Sequence, residues 1–536
     1  MMEERRPNRF VVFYPIFLAL MLVMGIWIGQ AYNSGQITTP IFIGSQNKEG
    51  KKVQEILDLI EREYVDTVDQ KELVEGVIQD LLQELDPHSY YISAEELQRF
   101  QEPLEGNFDG IGVEFMIQED TVVVIAPVEG GPSESVGILA GDRIVRVEEE
   151  DIAGIGIKNQ DVIDRLRGER GTKVNVGIMH SGSNDIVDVE ITRAQIPIYS
   201  VAVSYMVDET TGYIKLSRFA RTTYDEFYTA AKDLRDQGME KLVFDLRGNG
   251  GGYLDQAAEI GQEFLNKGDL IVYTEGRKQD RKSHYAKKDG EFRDIELAVL
   301  IDQGSASASE IVAGALQDND RGTIIGRRSF GKGLVQEHVG LPDGSALRLT
   351  IARYYTPTGR CIQRPYGEGI DYDADQMARY DSGELISEDS LRNDEDMAFT
   401  TPGGKTVYGG GGITPDIFVP VDTVGGSLYL SELSYQGIIN QFAFDQADKM
   451  REELGELSGP EEYQERYKID ETMLQALIAF AEKKGLENDP EGLATSKAII
   501  ETRLKAYIAR NIWNNKGYYP IILESDPVLS KAMEVL

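Results

Sequence analysis

The sequence runs to 536 residues and carries 91 acidic against 55 basic side chains, a net charge of −36 at pH 7. That length predicts several domains, and the charge argues against a sequence-independent grip on nucleic acid, which needs clustered Lys and Arg to displace counterions. With Cys361 as the sole cysteine there is neither an intrachain disulfide nor a cysteine metal cluster. His88, His180, His284 and His338 are scattered without ligand spacing, so no metal is expected.

Residues 1–9 include Arg5, Arg6 and Arg9, and the apolar run 10–32 follows them, with no charged residue from Phe10 until Lys48. About 20 apolar residues can cross a bilayer as a helix, and the basic flank keeps the first residues cytoplasmic. Gly29-Gln30-Ala31 has the look of a signal-peptide cleavage site, but the run is longer than the ~7 to 15 residues of such a peptide, which favours an uncleaved anchor. Either reading exports the rest of the chain to the cell envelope or periplasm.

From residue 50 to 100 the period turns helical. Val53, Ile56, Leu57, Ile60 and Tyr64 share one face, and Leu73, Val77, Ile78, Leu81 and Leu85 repeat the pattern until Asp86-Pro87 stops it. Two such helices cannot bury their stripes alone, so they are expected to pack on each other, on later domains or on a second subunit. Residues 101–197 then read as strands with glycine punctuation, in an order that resembles a PDZ domain. Gly110-Ile111-Gly112-Val113 stands where such domains have their carboxylate-binding loop, whose backbone N–H groups hold a chain terminus while the next strand edge pairs with the peptide.

From residue 198 strands alternate with helices, which predicts a layered α/β core with active loops at strand ends, over residues 198–426. The loop Arg247-Gly248-Asn249-Gly250-Gly251-Gly252 matches no nucleotide-binding spacing; bare N–H groups at a helix start can equally form half of an oxyanion hole. The strand Glu296–Asp302 leads to Ser305, Ser307 and Ser309, all at the start of an apolar helix. Ser307 and Glu310 have the spacing of a capping box, so the cluster could serve only to begin a helix. Lys332 lies between Gly331 and Gly333 beside an apolar strand. Serine needs a base, no histidine has the context of one, and a desolvated lysine can serve. In an extended segment Lys332, Leu334 and Gln336 share a face, so the neutral Gln336 amide can hold the amine without locking its proton on. The residues alone do not choose among the three serines.

LDPHSYY, DLRGNGGGYLDQA, GSASASEIVAGALQD, GKGLVQ, DGSALRLTIARYYTPTGRCIQ and GGITPDI together resemble the carboxy-terminal processing, or tail-specific, proteases. The resemblance extends in order over roughly residues 50–421. It implies a multidomain α/β fold with the PDZ domain inserted between the N-terminal helical segment and a serine protease core. It also implies Ser307 as nucleophile, Lys332 as general base and Gln336 as its orienting residue. Ala308 N–H, with one from the Gly251-Gly252 pair, is implied as oxyanion hole, and Arg167 as a basic PDZ position linking peptide binding to activation. The implied substrates are proteins and peptides with apolar C-terminal tails, cleaved without metal or organic cofactor. A non-cleaving PDZ scaffold of the same fold is the alternative, and retention of Ser307, Lys332 and Gln336 speaks against it.

Two regions depart from the family pattern. The acidic segment 366–404 interrupts the run towards GGITPDI and is expected to be a surface insertion or a lid. Residues 427–536 form a helical extension, expected to pack or to build a homo-oligomer rather than to catalyse.

Overall fold

The computed structural model describes residues 48–180, 183 and 185–536. The 10–32 segment lies outside these, and among the described residues no helix is long and apolar enough to cross a membrane. The chain divides into two compact units, one of residues up to Ala94 with Glu337–Leu349, the other of Glu95–Gln336 with Thr350–Leu536.

In the first unit the two expected helices are Lys48–Glu63 and Gln70–Gln83. Asp69 caps the second, accepting from the N–H groups of Lys71 and Glu72. The turn after it is closed by Asp86, whose carboxylate accepts from His88 N–H, Ser89 N–H and Ser89 Oγ. Tyr90–Ile92 then pairs antiparallel with Ala346–Arg348. Much of the apolar stripe stays exposed, Val53, Ile56, Val77, Leu81 and Leu85 among it.

In the second unit the PDZ strands Val113–Gln118, Thr121–Pro127, Arg143–Val147, Lys173–Met179 and Ile186–Thr192 form one sheet in that order. The Asn159–Leu166 helix buries Val162 and Leu166 in the same core. Asn107–Gly110 pairs with Ala194–Pro197 where the chain enters and leaves this domain.

The protease core is a six-stranded sheet in the order Val201–Met206, Thr211–Leu216, Lys241–Asp245, Glu296–Ile301, Thr323–Gly326, Ile417–Phe418. All neighbours are parallel except the first pair. Sheets of this kind are covered on both faces, which is why their strands read as unbroken apolar runs. Leu242, Phe244, Leu297, Val299 and Ile301 point to one side, into a core shared with the helices Thr223–Asp236, Leu254–Gln262 and Ala308–Asp318. Val243, Ala298 and Leu300 point to the other, onto Val528, Leu529 and Ala532 of the last helix, Pro527–Val535. The end of the C-terminal extension is thus one layer of the core, while the helices from Leu428–Tyr435 to Pro490–Ile522 bury a separate cluster around Leu433, Ala443 and Leu504.

Candidate active site

Two adjacent parallel strands, Lys241–Asp245 and Glu296–Ile301, deliver the two loops of the site at their C-terminal ends. The loops are stitched to each other by short polar contacts. Asp302 Oδ1 accepts from Gly248 N–H and Gly304 N–H, both at 2.9 Å, and Ala306 N–H donates to Asn249 O at 3.0 Å.

The three serines part company here. Ser305 is fully buried and donates to Leu246 O at 2.8 Å. Ser309 is fully buried and donates to Asn249 O at 2.8 Å. Ser307 is half-buried, at φ 56° and ψ −111°, a conformation that a residue with a Cβ keeps only when its surroundings enforce it.

Glu310 is the main source of that enforcement. Its carboxylate is fully buried and accepts from Ser307 N–H at 2.8 Å, Lys332 N–H at 2.9 Å, Gly331 N–H at 2.7 Å and Ser329 Oγ at 2.5 Å. One side chain therefore fixes the backbone of both the serine and the lysine. Burial pushes its pKa up to about 7, against the pull of the four donors. Tyr354 adds a second tie, its hydroxyl lying 2.6 Å from Lys332 O and 3.1 Å from Ser307 O. Gly333 N–H donates to Gln363 Oε1 at 2.8 Å. Sequence reasoning saw Glu310 only as a helix cap and missed Tyr354 and Gln363, for which no local signal exists.

Lys332 and Gln336 are both half-buried. The strand Leu334–Gly340 begins two residues after Lys332, and Leu334 and Gln336 share one of its faces. Gln336 Nε2 lies 3.4 Å from Thr350 Oγ1.

The glycine loop comes close to the serine. A Cβ on Gly251, which has φ 97°, would lie 2.8 Å from Ser307 Cβ and 2.9 Å from Ala308 N; a side chain there would fill the space beside the serine as well as strain the turn. One on Gly252 would strike Phe219 O at 2.1 Å. Gly251 N–H donates to Asn249 Oδ1 at 2.9 Å. Ala308 is the first residue of the Ala308–Asp318 helix, where backbone N–H groups have no partner within the helix.

In the PDZ domain Gly110 ends one strand and Val113 begins the next. Between them Ile111 is buried, its carbonyl accepting from Ser133 N–H and Oγ, and Gly112 takes φ 74°. Arg167 is no simple surface charge: it pairs with Glu102 at 2.5 Å and its guanidinium sits 4.4 Å from the centre of the Phe108 ring.

Comparison with known proteins bears on this arrangement. A family model for peptidase family S41 matches residues 210–375, one for the PDZ domain residues 110–191, and one for the activating protease CtpB N-terminal domain residues 30–96. A family of unknown function, DUF8443, matches residues 429–514 of the helical extension. A carboxy-terminal-processing protease of Bartonella bacilliformis is 39% identical over 331 residues, 61% of this chain and 74% of that one. This chain belongs to the carboxy-terminal processing protease family. The carboxy-terminal processing protease CtpB of Bacillus subtilis is 34% identical, over 60% of this chain and 66% of its own. A solved photosystem II D1 C-terminal processing protease aligns with 70% of this chain and 95% of its own at 26% identity, with a TM-score of 0.36.

Proposed function

We propose that the chain is a serine endopeptidase of the cell envelope that recognises C-terminal tails through its PDZ domain and cleaves by a Ser307–Lys332 acyl-enzyme mechanism. The observation that carries this is the joint hold of Glu310 on the Ser307 and Lys332 backbones, with Ser307 alone of the three serines half-buried and strained. Ser305 and Ser309 spend their hydroxyls on backbone carbonyls.

A substrate tail adds as a strand beside the loop 110–113, with its carboxylate on the loop's backbone N–H groups. Lys332, oriented by Gln336, takes the Ser307 proton as the hydroxyl attacks the scissile carbonyl. Ala308 N–H and one N–H of the glycine loop receive the developing oxyanion. Gly251 N–H is already engaged by Asn249, which makes Gly252 the donor of choice. The lysine returns its proton to the leaving amine, and water then hydrolyses the ester. The apolar length of residues 10–32, beside Arg5, Arg6 and Arg9, supports an anchor that leaves the catalytic part outside the cytoplasm.

The test is incubation of the purified chain with an unstructured protein ending in apolar residues. Ser307→Ala and Lys332→Ala should each abolish cleavage, while Ser305→Ala and Ser309→Ala should keep part of it. Cleavage that persists in Ser307→Ala overturns the assignment.

A further inference from the structure

The acidic segment 366–404, expected to be a surface insertion or a lid, buries several of its side chains. Tyr372, Arg379, Glu384 and Leu385 are each less than 9% exposed. Tyr372, Arg379 and Glu384 pack on the stretch that leads into Lys332.

Arg379, 5% exposed, donates to Arg328 O at 2.7 Å and to Ser329 O at 3.0 Å, and its Nε reaches Glu384 at 2.8 Å. Glu384 in turn receives both nitrogens of the Arg328 fork, at 2.8 and 2.5 Å. Ser329 is thereby held on every polar atom: its carbonyl by Arg379, its N–H by Ile413 O at 3.0 Å, its hydroxyl between Glu310 and Ile413 N–H. One residue on, the Phe330 ring meets Tyr372 edge-on at 6.2 Å, with the Arg364 guanidinium 4.1 Å from one ring centre and 3.7 Å from the other. Arg364 also pairs with Asp375 of the segment, and its backbone N–H donates to Gly331 O at 2.9 Å.

The two glycines around Lys332 need such support. Gly331 lies at φ 87°, and glycine backbone left to itself samples many conformations. A planar guanidinium spanning two successive carbonyls is a stiff way to remove that freedom, and a lysine ammonium cannot reproduce its fork.

We propose that residues 366–404 are a brace built against the lysine loop, with Arg379 as a positioning residue that fixes Arg328 and Ser329 and through them places Lys332. The proposal rests on Lys332 being the general base. It makes the segment part of the catalytic apparatus without giving it any contact with substrate.

Arg379→Met and Arg379→Lys should each lower kcat on a peptide substrate by tenfold or more, with KM within twofold. The acidic limb of the kcat/KM profile, which reports protonation of the base in the free enzyme, should move, because a displaced lysine exchanges its surroundings. Active-site titration with a serine-directed phosphonate counts competent sites. A loss explained wholly by fewer titratable sites, with the limb unmoved, overturns the brace, as does wild-type kcat in both variants. A variant too unstable for kinetics is read by amide hydrogen exchange in the Ser307→Ala background. There Glu384→Gln should expose the N–H groups of Ser329, Gly331 and Lys332, and unchanged protection at all three overturns the proposal. Turnover persisting in Ser307→Ala alone marks instead the failure of the underlying dyad, and the brace falls with it.

Discussion

Glu310 shows how one residue can decide a site's chemistry from outside the reaction. Four donors converge on a carboxylate with no access to water. Burial still wins over those bonds and raises the pKa from 4.5 to about 7. In the unfolded chain this group titrates near 4.5, so between there and about 7 the folded state binds more protons than the unfolded one. By linkage, stability must then fall as pH rises through that window. Urea denaturation between pH 5 and 7.5 should show this loss in the wild type and a flatter profile in Glu310→Gln. Glutamine cannot accept at its amide nitrogen, so it gives up the bonds on one of the two carboxylate oxygens, and the variant should be less stable by about 1–3 kcal/mol at pH 7.5. Equal slopes in the two proteins would show that some other group governs the window. The spacing of Ser307 and Glu310 is legible in the sequence as a capping box, but the other partners lie 19 to 22 residues away, and no local pattern announces them.

The Ala308–Asp318 helix extends the point to a whole element. Every one of its residues is buried, which an apolar stripe reading would not predict for a sequence ending in Gln317-Asp318. The polar end is accommodated by Arg360, fully buried itself, which donates to Gln317 Oε1 and Asp318 Oδ1 at 2.7 Å each. Thr358 supplies N–H and hydroxyl to the other Asp318 oxygen. The helix is thus clamped by Glu310 at one end and by Arg360 at the other. Arg360→Met should destabilise the chain by about 3–5 kcal/mol, because it leaves a buried carboxylate without its cation. Adding Asp318→Leu should recover part of that loss, and a double variant no better than the single one would show that packing, not charge, carries the pair. Strands, helices and their order were readable because apolar period reports burial directly. The helix Pro527–Val535 as a layer of the core, and the inner packing of 366–404, were not, since both depend on contacts between residues far apart in sequence. The turn that Gly331 makes at φ 87° just before Lys332 was not legible either, because its N–H is held by Glu310 and its carbonyl by Arg364, both far off in sequence.

Across the whole molecule the PDZ domain and the glycine loop are joined by a short polar relay. Arg167 holds Glu102, and on the same helix, Ala94–Glu105, Glu105 holds Arg221 at 2.8 Å and Tyr253 at 2.9 Å. Tyr253 directly follows Gly252, and its ring lies under the Arg221 guanidinium at 4.9 Å. The hydrogen bond from Arg221, helped by that from Tyr253, keeps the Glu105 carboxyl below its ordinary range. These groups are substantially exposed, 59% for Arg221 and 41% for Glu105, so the pair is worth at most about 1 kcal/mol and the fold does not depend on it. A contact too weak to hold the fold can still bias a loop, because the loop needs only a comparable energy to change its populations. A peptide with a free apolar C-terminus should therefore alter hydrogen exchange at Gly248–Gly252 of the wild-type chain. In Glu105→Gln the same peptide should bind with unchanged affinity and produce less than half of that change. Full transmission in the variant would exclude the relay, and weakened peptide binding would place Glu105 in the PDZ site rather than between the two sites.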